Sequence, residues 1–168
     1  MRKAVITLSL ALGAAAPPAA AMVPPIGPGR ITAVTYETGP CFGACPIYRV
    51  TVTERGVGIF EGRRFTAVTG LRNFAVSRRQ FSAFVAHLAP VRPANRRSVR
   101  YEGPELCPRM ATDMPTATVS WRSTSGGAQT LTYYFGCDPE KNRALAERLR
   151  AAPALLPIAA LIGPRPGR

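Results

Sequence analysis

The segment Cys41-Phe42-Gly43-Ala44-Cys45-Pro46 runs without a break into Ile47 to Thr53, and that junction limits what the chain can become. In residues 47–53, Tyr48, Val50 and Val52 fall on one face, and Arg49, Thr51 and Thr53 on the other. Alternation of this kind predicts a strand with one packed face and one wet face. The cysteine loop is therefore expected to feed a strand.

The same period recurs along the chain. Ile31 to Glu37 is a further strand candidate, and Glu54-Arg55-Gly56 supplies a turn into Val57 to Glu61, a hairpin partner. Thr116 to Ser123 and Ala128 to Phe135 flank Thr124-Ser125-Gly126-Gly127, which predicts a second hairpin. In it Ala117, Val119 and Trp121 share a face, as do Leu131, Tyr133 and Phe135. The glycines of Gly56-x-Gly58-x-x-x-Gly62 are read as hairpin glycines, because their spacing does not fit a dinucleotide loop.

Two helices have start signals. Ser77 with Gln80 three residues later forms a capping box, flanked by Val76 and Phe81 at staple positions. Phe81, Phe84, Val85 and Leu88 then make one apolar stripe. The second helix is expected to begin at Asp138 as cap, with Pro139 in the first helical position and Glu140 at the positive dipole end. Leu145 and Leu149 are its core contacts, Arg148 and Arg150 complement its far end, and Pro153 stops it. Ala154 to Ile162 is apolar and adds a helical turn or two. Strands and helices in this order define an α+β class, a mainly antiparallel sheet with two or three helices packed on one face.

Residues 1–21 have the parts of a secretory signal: Arg2 and Lys3, an apolar run from Ala4 to Ala16, and Ala19-Ala20-Ala21 before an expected cleavage. That run is shorter than the roughly 20 residues of a membrane-spanning helix. The mature protein is accordingly expected in the periplasm or outside the cell, with no membrane span. Residues 22–30 read as a Pro/Gly-rich leader, 31–152 as one domain, and 153–168 as an apolar then Pro/Gly-rich tail.

An exported chain with an even number of cysteines favours disulfides. Cys41, Cys45, Cys107 and Cys137 allow three pairings. Geometry favours a local Cys41/Cys45 bridge, because Gly43 can take a positive φ. The second hairpin places position 137 opposite Met114 to Pro115, near the loop that carries Cys107. In the loop-entropy picture the short ring is worth about 2 kcal/mol and the long one about 3.7 kcal/mol. The four sulfurs lack the paired knuckles of a zinc site, and neither a metal nor a cofactor is expected.

Cys-x-x-x-Cys-Pro resembles the metal-binding loop of thioredoxin-fold copper chaperones of the Sco type, where two thiols and a distant histidine hold the ion. In that fold the motif opens a helix, whose N-terminus lowers thiol pKa. Here a strand follows, and His87 is the single histidine. It lies off the apolar stripe and is read as a solvated surface residue.

A wider resemblance is carried by three motifs in order: Cys41-Phe42-Gly43-Ala44-Cys45-Pro46-Ile47-Tyr48, Thr112-Asp113-Met114-Pro115 and Tyr134-Phe135-Gly136-Cys137. Together they are similar to an uncharacterised bacterial family of exported domains of unknown function, from about Ile31 to Leu149. The resemblance implies export and a single fold unit. It assigns no activity and no functional residues.

The remaining chemistry is sparse. No Gly-x-Ser-x-Gly elbow or His-Glu-x-x-His segment occurs, and one histidine offers little for hydrolysis. Glu102, Glu105 and Asp113 cluster around Cys107 and would act together only if they met in a cleft. Asp113 reads more readily as a loop brace whose carboxylate accepts backbone donors. The net charge is +13, with Arg63-Arg64, Arg78-Arg79, Arg92, Arg96-Arg97 and Arg100 as a cationic set. Anionic envelope components are the expected partners, and the absence of interleaved aromatics around Arg96 disfavours specific nucleic acid. The sequence thus predicts a non-enzymatic binding or structural module. Its candidate functional loop comprises Phe42, Gly43, Pro46, Tyr48, Thr112 and Asp113, and its rival reading is a thiol redox or copper protein using Cys41 and Cys45.

Overall fold

A computed structural model describes residues 29–94 and 98–164. The expected signal, most of the leader, Arg96-Arg97 and the last four residues lie outside them.

Seven strands form one sheet. They are β1 (Ile31–Thr38), β2 (Ile47–Thr53), β3 (Val57–Arg64), β4 (Gly70–Ala75), β5 (Ser98–Tyr101), β6 (Thr116–Ser123) and β7 (Ala128–Tyr134). Their order is β4-β3-β2-β1-β6-β7-β5, antiparallel throughout except for the β5–β7 pair. The helices are α1 (Arg78–Leu88), α2 (Arg143–Ala151) and the single turn α3 (Ala159–Ile162), with 3₁₀ turns at Ala89–Val91 and Ala152–Leu155. This is the α+β architecture that the alternation predicted.

Register shows why these residues make a sheet. Val34 lies between Val52 and Trp121, and Tyr36 between Val50 and Val119, so one face is apolar across three strands. Phe60, Leu131 and Tyr133 extend it, and Phe84, Leu88 and Leu149 close it from the helices. Fully burying one such side chain stabilises by about 1.5–3 kcal/mol, which makes this face the main source of stability. The core carries one polar cost: the buried Trp121 indole N–H has no hydrogen-bond partner among the described residues.

The opposite face is wet. Thr35 bonds Thr51 at 2.9 Å and Ser120 bonds Thr130 at 3.2 Å across neighbouring strands. Glu37 receives Arg49 at 2.8 Å and Arg63 at 2.7 Å. The Glu61 carboxyl is held below its ordinary range by the Arg63 guanidinium bonded to it.

Helix α1 starts as its sequence requires. Ser77 Oγ accepts from the Gln80 N–H at 3.1 Å and the Gln80 side chain accepts from the Ser77 N–H at 2.9 Å, while Val76 and Phe81 are buried. Helix α2 corrects the sequence reading, since it begins at Arg143 instead of just after Asp138. The cause is the chain before it. The Asp138 N–H donates to the Arg109 carbonyl at 2.8 Å, Asp138 has φ +34°, and the Asn142 N–H returns to the Asp138 carbonyl at 3.0 Å. Residues 138–142 are thereby committed to a separate turn, which Asp138 still caps: its carboxylate accepts the Lys141 N–H at 3.4 Å and also takes Arg109 at 2.9 Å.

Beyond Pro153 the chain turns back onto the body. Leu156 and Ile158 are buried, and the Ala67 N–H donates to the Ile162 carbonyl at 2.9 Å. The apolar part of the expected tail is thus packed against the sheet and α2. No helix among the described residues is long and apolar enough to cross a membrane.

Candidate functional site

Both bridges favoured by the sequence are present, Cys41–Cys45 and Cys107–Cys137, and no free cysteine remains. They differ in setting. Cys107 and Cys137 are buried in the core, whereas Cys41 and Cys45 are half-buried at the rim of a groove. Cys137 pairs with Met110 in an isolated antiparallel bridge, not with the expected Met114 to Pro115. The reason lies in Gly136, whose carbonyl accepts the Ala111 N–H at 2.9 Å. A Cβ there would run into the Ala111 carbonyl, so the 110–111 strand can approach only a glycine.

The 41–45 ring curls through Gly43 at φ +114°. It is braced on both sides. The Phe42 N–H donates to the Asp113 carbonyl at 3.1 Å, and the Gly39 N–H to the Thr116 carbonyl at 2.8 Å. Thr38 Oγ1 donates to the Pro46 carbonyl at 2.8 Å and accepts the Tyr48 N–H at 3.0 Å. Phe42, Pro46, Tyr48, Thr112 and Asp113 are therefore brought to one end of the sheet. One detail is corrected: Asp113 braces through its main-chain carbonyl at φ +67°, and its carboxylate accepts the Thr112 hydroxyl at 3.0 Å instead of backbone donors.

Under this loop lies a groove of about 590 Å³. Tyr36 and Tyr48 line it from the sheet, Phe135 from just past the end of β7, and Arg150, Ala154, Ala159 and Ile162 from the helical segment. The Tyr36 and Tyr48 rings stack at 6.4 Å, and Tyr48 continues onto Phe60 at 5.4 Å. Burial pushes the Tyr36 phenol far above its ordinary ionisation range, and its hydroxyl donates to the Leu149 carbonyl at 3.0 Å. Phe42 stands at the rim with 87% of its surface exposed. Arg150 is the one charged residue among the described residues of the lining, with its guanidinium 4.6 Å over the Phe135 ring. None of the ion pairs among the described residues involves it.

Sequence reasoning named the loop and missed the opposite wall. Arg150 was legible as a helix-end cation, but nothing local showed that residues 153–163 fold back across from Cys41. A second cavity of about 460 Å³ lies between Val99, Leu131 and Leu145, away from the loop.

Other expectations disperse. His87 is not a solvated residue: it is half-buried, its Nε2 bonds the Arg148 carbonyl at 2.8 Å, and Arg148 donates back to the His87 carbonyl at 2.8 Å. Neighbouring helices α1 and α2 compete successfully with water for it. Glu102 takes Arg100 at 2.6 Å and Asp113 takes Thr112, so these carboxylates serve separate partners. Arg63 is paired with Glu37 and Glu61, which offsets its charge, while Arg92 donates to the neutral Gln129 side chain and keeps its charge. Among the described residues no three His, Cys, Asp or Glu side chains are placed to hold a metal ion.

Fold and groove define a small α+β domain cross-linked by two disulfides, with its accessible bridge at the mouth of an apolar cleft. The chain matches the family model described as "Domain of unknown function (DUF6438)" over residues 32–153, and it belongs to that family. No curated protein and no solved structure matches it.

Proposed function

We propose that this is an exported, non-enzymatic binding module that holds a small apolar ligand in the groove beneath the Cys41–Cys45 loop. The observation that carries this reading is the groove itself, whose volume lies within the range of single small-molecule sites and whose rim is locked by a covalent ring. Two disulfides support an oxidising compartment. Among the described residues no nucleophile, base and orienting group converge on the cleft, which favours binding over turnover. The test is a thermal-shift screen of the purified oxidised protein against apolar small molecules, repeated with Ala159→Trp to fill the cleft. Hits that stabilise the parent and not the variant support the reading. Hits that stabilise both equally place binding elsewhere and refute it.

The accessibility of Cys41 and Cys45 supports a second reading, a thiol redox or copper-binding role. Against it, Cys45 leads into β2, so no helix N-terminus lowers its thiol pKa. Alkylation with mass mapping after mild reduction separates the two. The redox reading requires a readily reduced 41/45 pair that then binds copper, and four blocked sulfurs would end it.

A further inference from the structure

Among the described residues, the groove combines an apolar trough with a single planar cation. Arg150 holds its guanidinium 4.6 Å over the Phe135 ring, and its in-plane N–H fork is the natural docking edge for a planar anion. No carboxylate among the described residues takes that edge. Two of the polar side chains in the lining are already engaged within the fold: Tyr36 donates to Leu149 and Thr38 to Pro46. A peptide laid in the trough would bring main-chain donors and acceptors against a mainly apolar lining, at a desolvation cost. An unbranched hydrocarbon chain brings none.

We infer that the groove takes a long-chain monocarboxylate of the fatty-acid class, its carboxylate on Arg150 and its chain over the Tyr36, Tyr48 and Phe135 rings. This rests on the groove being the binding site and adds the chemical class of the occupant. Charge selects the head group, and apolar burial selects the tail. The accessible rim at Phe42 gives the chain its way in.

The experiment uses the purified oxidised protein and 11-(dansylamino)undecanoic acid, read by dansyl fluorescence, beside the same probe as its uncharged primary amide. The acid is expected to bind roughly tenfold more tightly than the amide, a difference of about 1.4 kcal/mol. Arg150→Gln should erase that preference and Arg150→Lys should restore part of it. Ala159→Trp should weaken both probes. If acid and amide bind alike and Arg150→Gln changes nothing, the groove reading stands and the carboxylate inference falls. If neither probe binds, or Ala159→Trp leaves both unaffected, the groove reading itself falls. An apolar pentapeptide amide that displaces the acid more effectively than palmitate does would overturn the fatty-acid assignment in favour of a peptide.

Discussion

The Tyr36 hydroxyl donates to the Leu149 carbonyl at 3.0 Å, joining the central strand β1 to the last turn of α2. Both groups are buried, and the carbonyl belongs to a helix end that would otherwise be short of donors. Tyr36→Phe keeps the ring stacked on Tyr48 and removes only the donor. It should cost about 1 kcal/mol of stability in urea unfolding with an unchanged slope. An unchanged midpoint would show that the bond contributes nothing to holding helix on sheet.

The two bridges should separate in both energy and accessibility. The Cys107–Cys137 ring spans a sequence separation of 30, against 4 for Cys41–Cys45. Loop entropy assigns about 3.7 kcal/mol to the former and about 2 kcal/mol to the latter. The double serine variant at 107 and 137 should therefore lose more stability than the one at 41 and 45. Under graded dithiothreitol, alkylation should label Cys41 and Cys45 first, because the other pair is enclosed by the core. Labelling in the reverse order would contradict this placement.

The elements that could be read from the sequence are those whose local pattern and tertiary role agree. Strands β1, β2, β6 and β7 have a buried residue at nearly every second position, and α1 carries its own cap, so local pattern sufficed. Strand β4 is an edge with four of its six residues exposed and no alternation to detect, and β5 alternates in Ser98-Val99-Arg100-Tyr101 but is only four residues long, too short to stand out. The start of α2 was displaced by a tertiary constraint: Asp138 and Pro139 are good cap residues, but Arg109 and the Cys107–Cys137 bridge hold that stretch in a turn. The loop half of the groove was visible as Cys-x-x-x-Cys-Pro. Its far wall depended on where residues 153–163 pack, which no periodicity encodes.

Ser77 and Gln80 give a clean test of the capping box. Ser77→Ala should destabilise by about 1 kcal/mol, because it leaves the Gln80 N–H in the first turn of α1 without its side-chain acceptor. Adding Gln80→Ala should cost less than the sum of the two single variants, as expected when two residues satisfy one another. Strict additivity in denaturant unfolding would mean that the two bonds act independently.

Gly136→Ala tests the close approach that seats Cys137. The added methyl would meet the Ala111 carbonyl and the Tyr134 ring, so the 110–111 segment must move away from the bridge it forms with Cys137. Overpacking of this kind costs about 1–3 kcal/mol. The shift should appear as faster hydrogen exchange at the Ala111 amide, whose acceptor is the Gly136 carbonyl. Unchanged exchange and stability would show that the loop yields freely and that glycine is not required there.

Acid and alkali should act through different residues. The Arg109 guanidinium bonded to Asp138 holds its carboxyl below the ordinary range. Below about pH 4, where a free aspartate takes up its proton, the unfolded chain binds more protons than the folded one. The contribution of this pair is complete above that point and drains as pH falls through the lowered folded value. Tyr36 works in the opposite sense. Burial raises its phenol, so above about pH 10 the unfolded chain loses a proton that the folded protein keeps, and stability falls as pH rises. Thermal unfolding followed from pH 2 to pH 11 should show both flanks. Asp138→Asn should reduce the acid flank alone and Tyr36→Phe the alkaline flank alone, with the lowered Glu61 carboxyl and the raised Tyr133 phenol carrying part of what remains. A variant that left its own flank unchanged would remove that residue from the account.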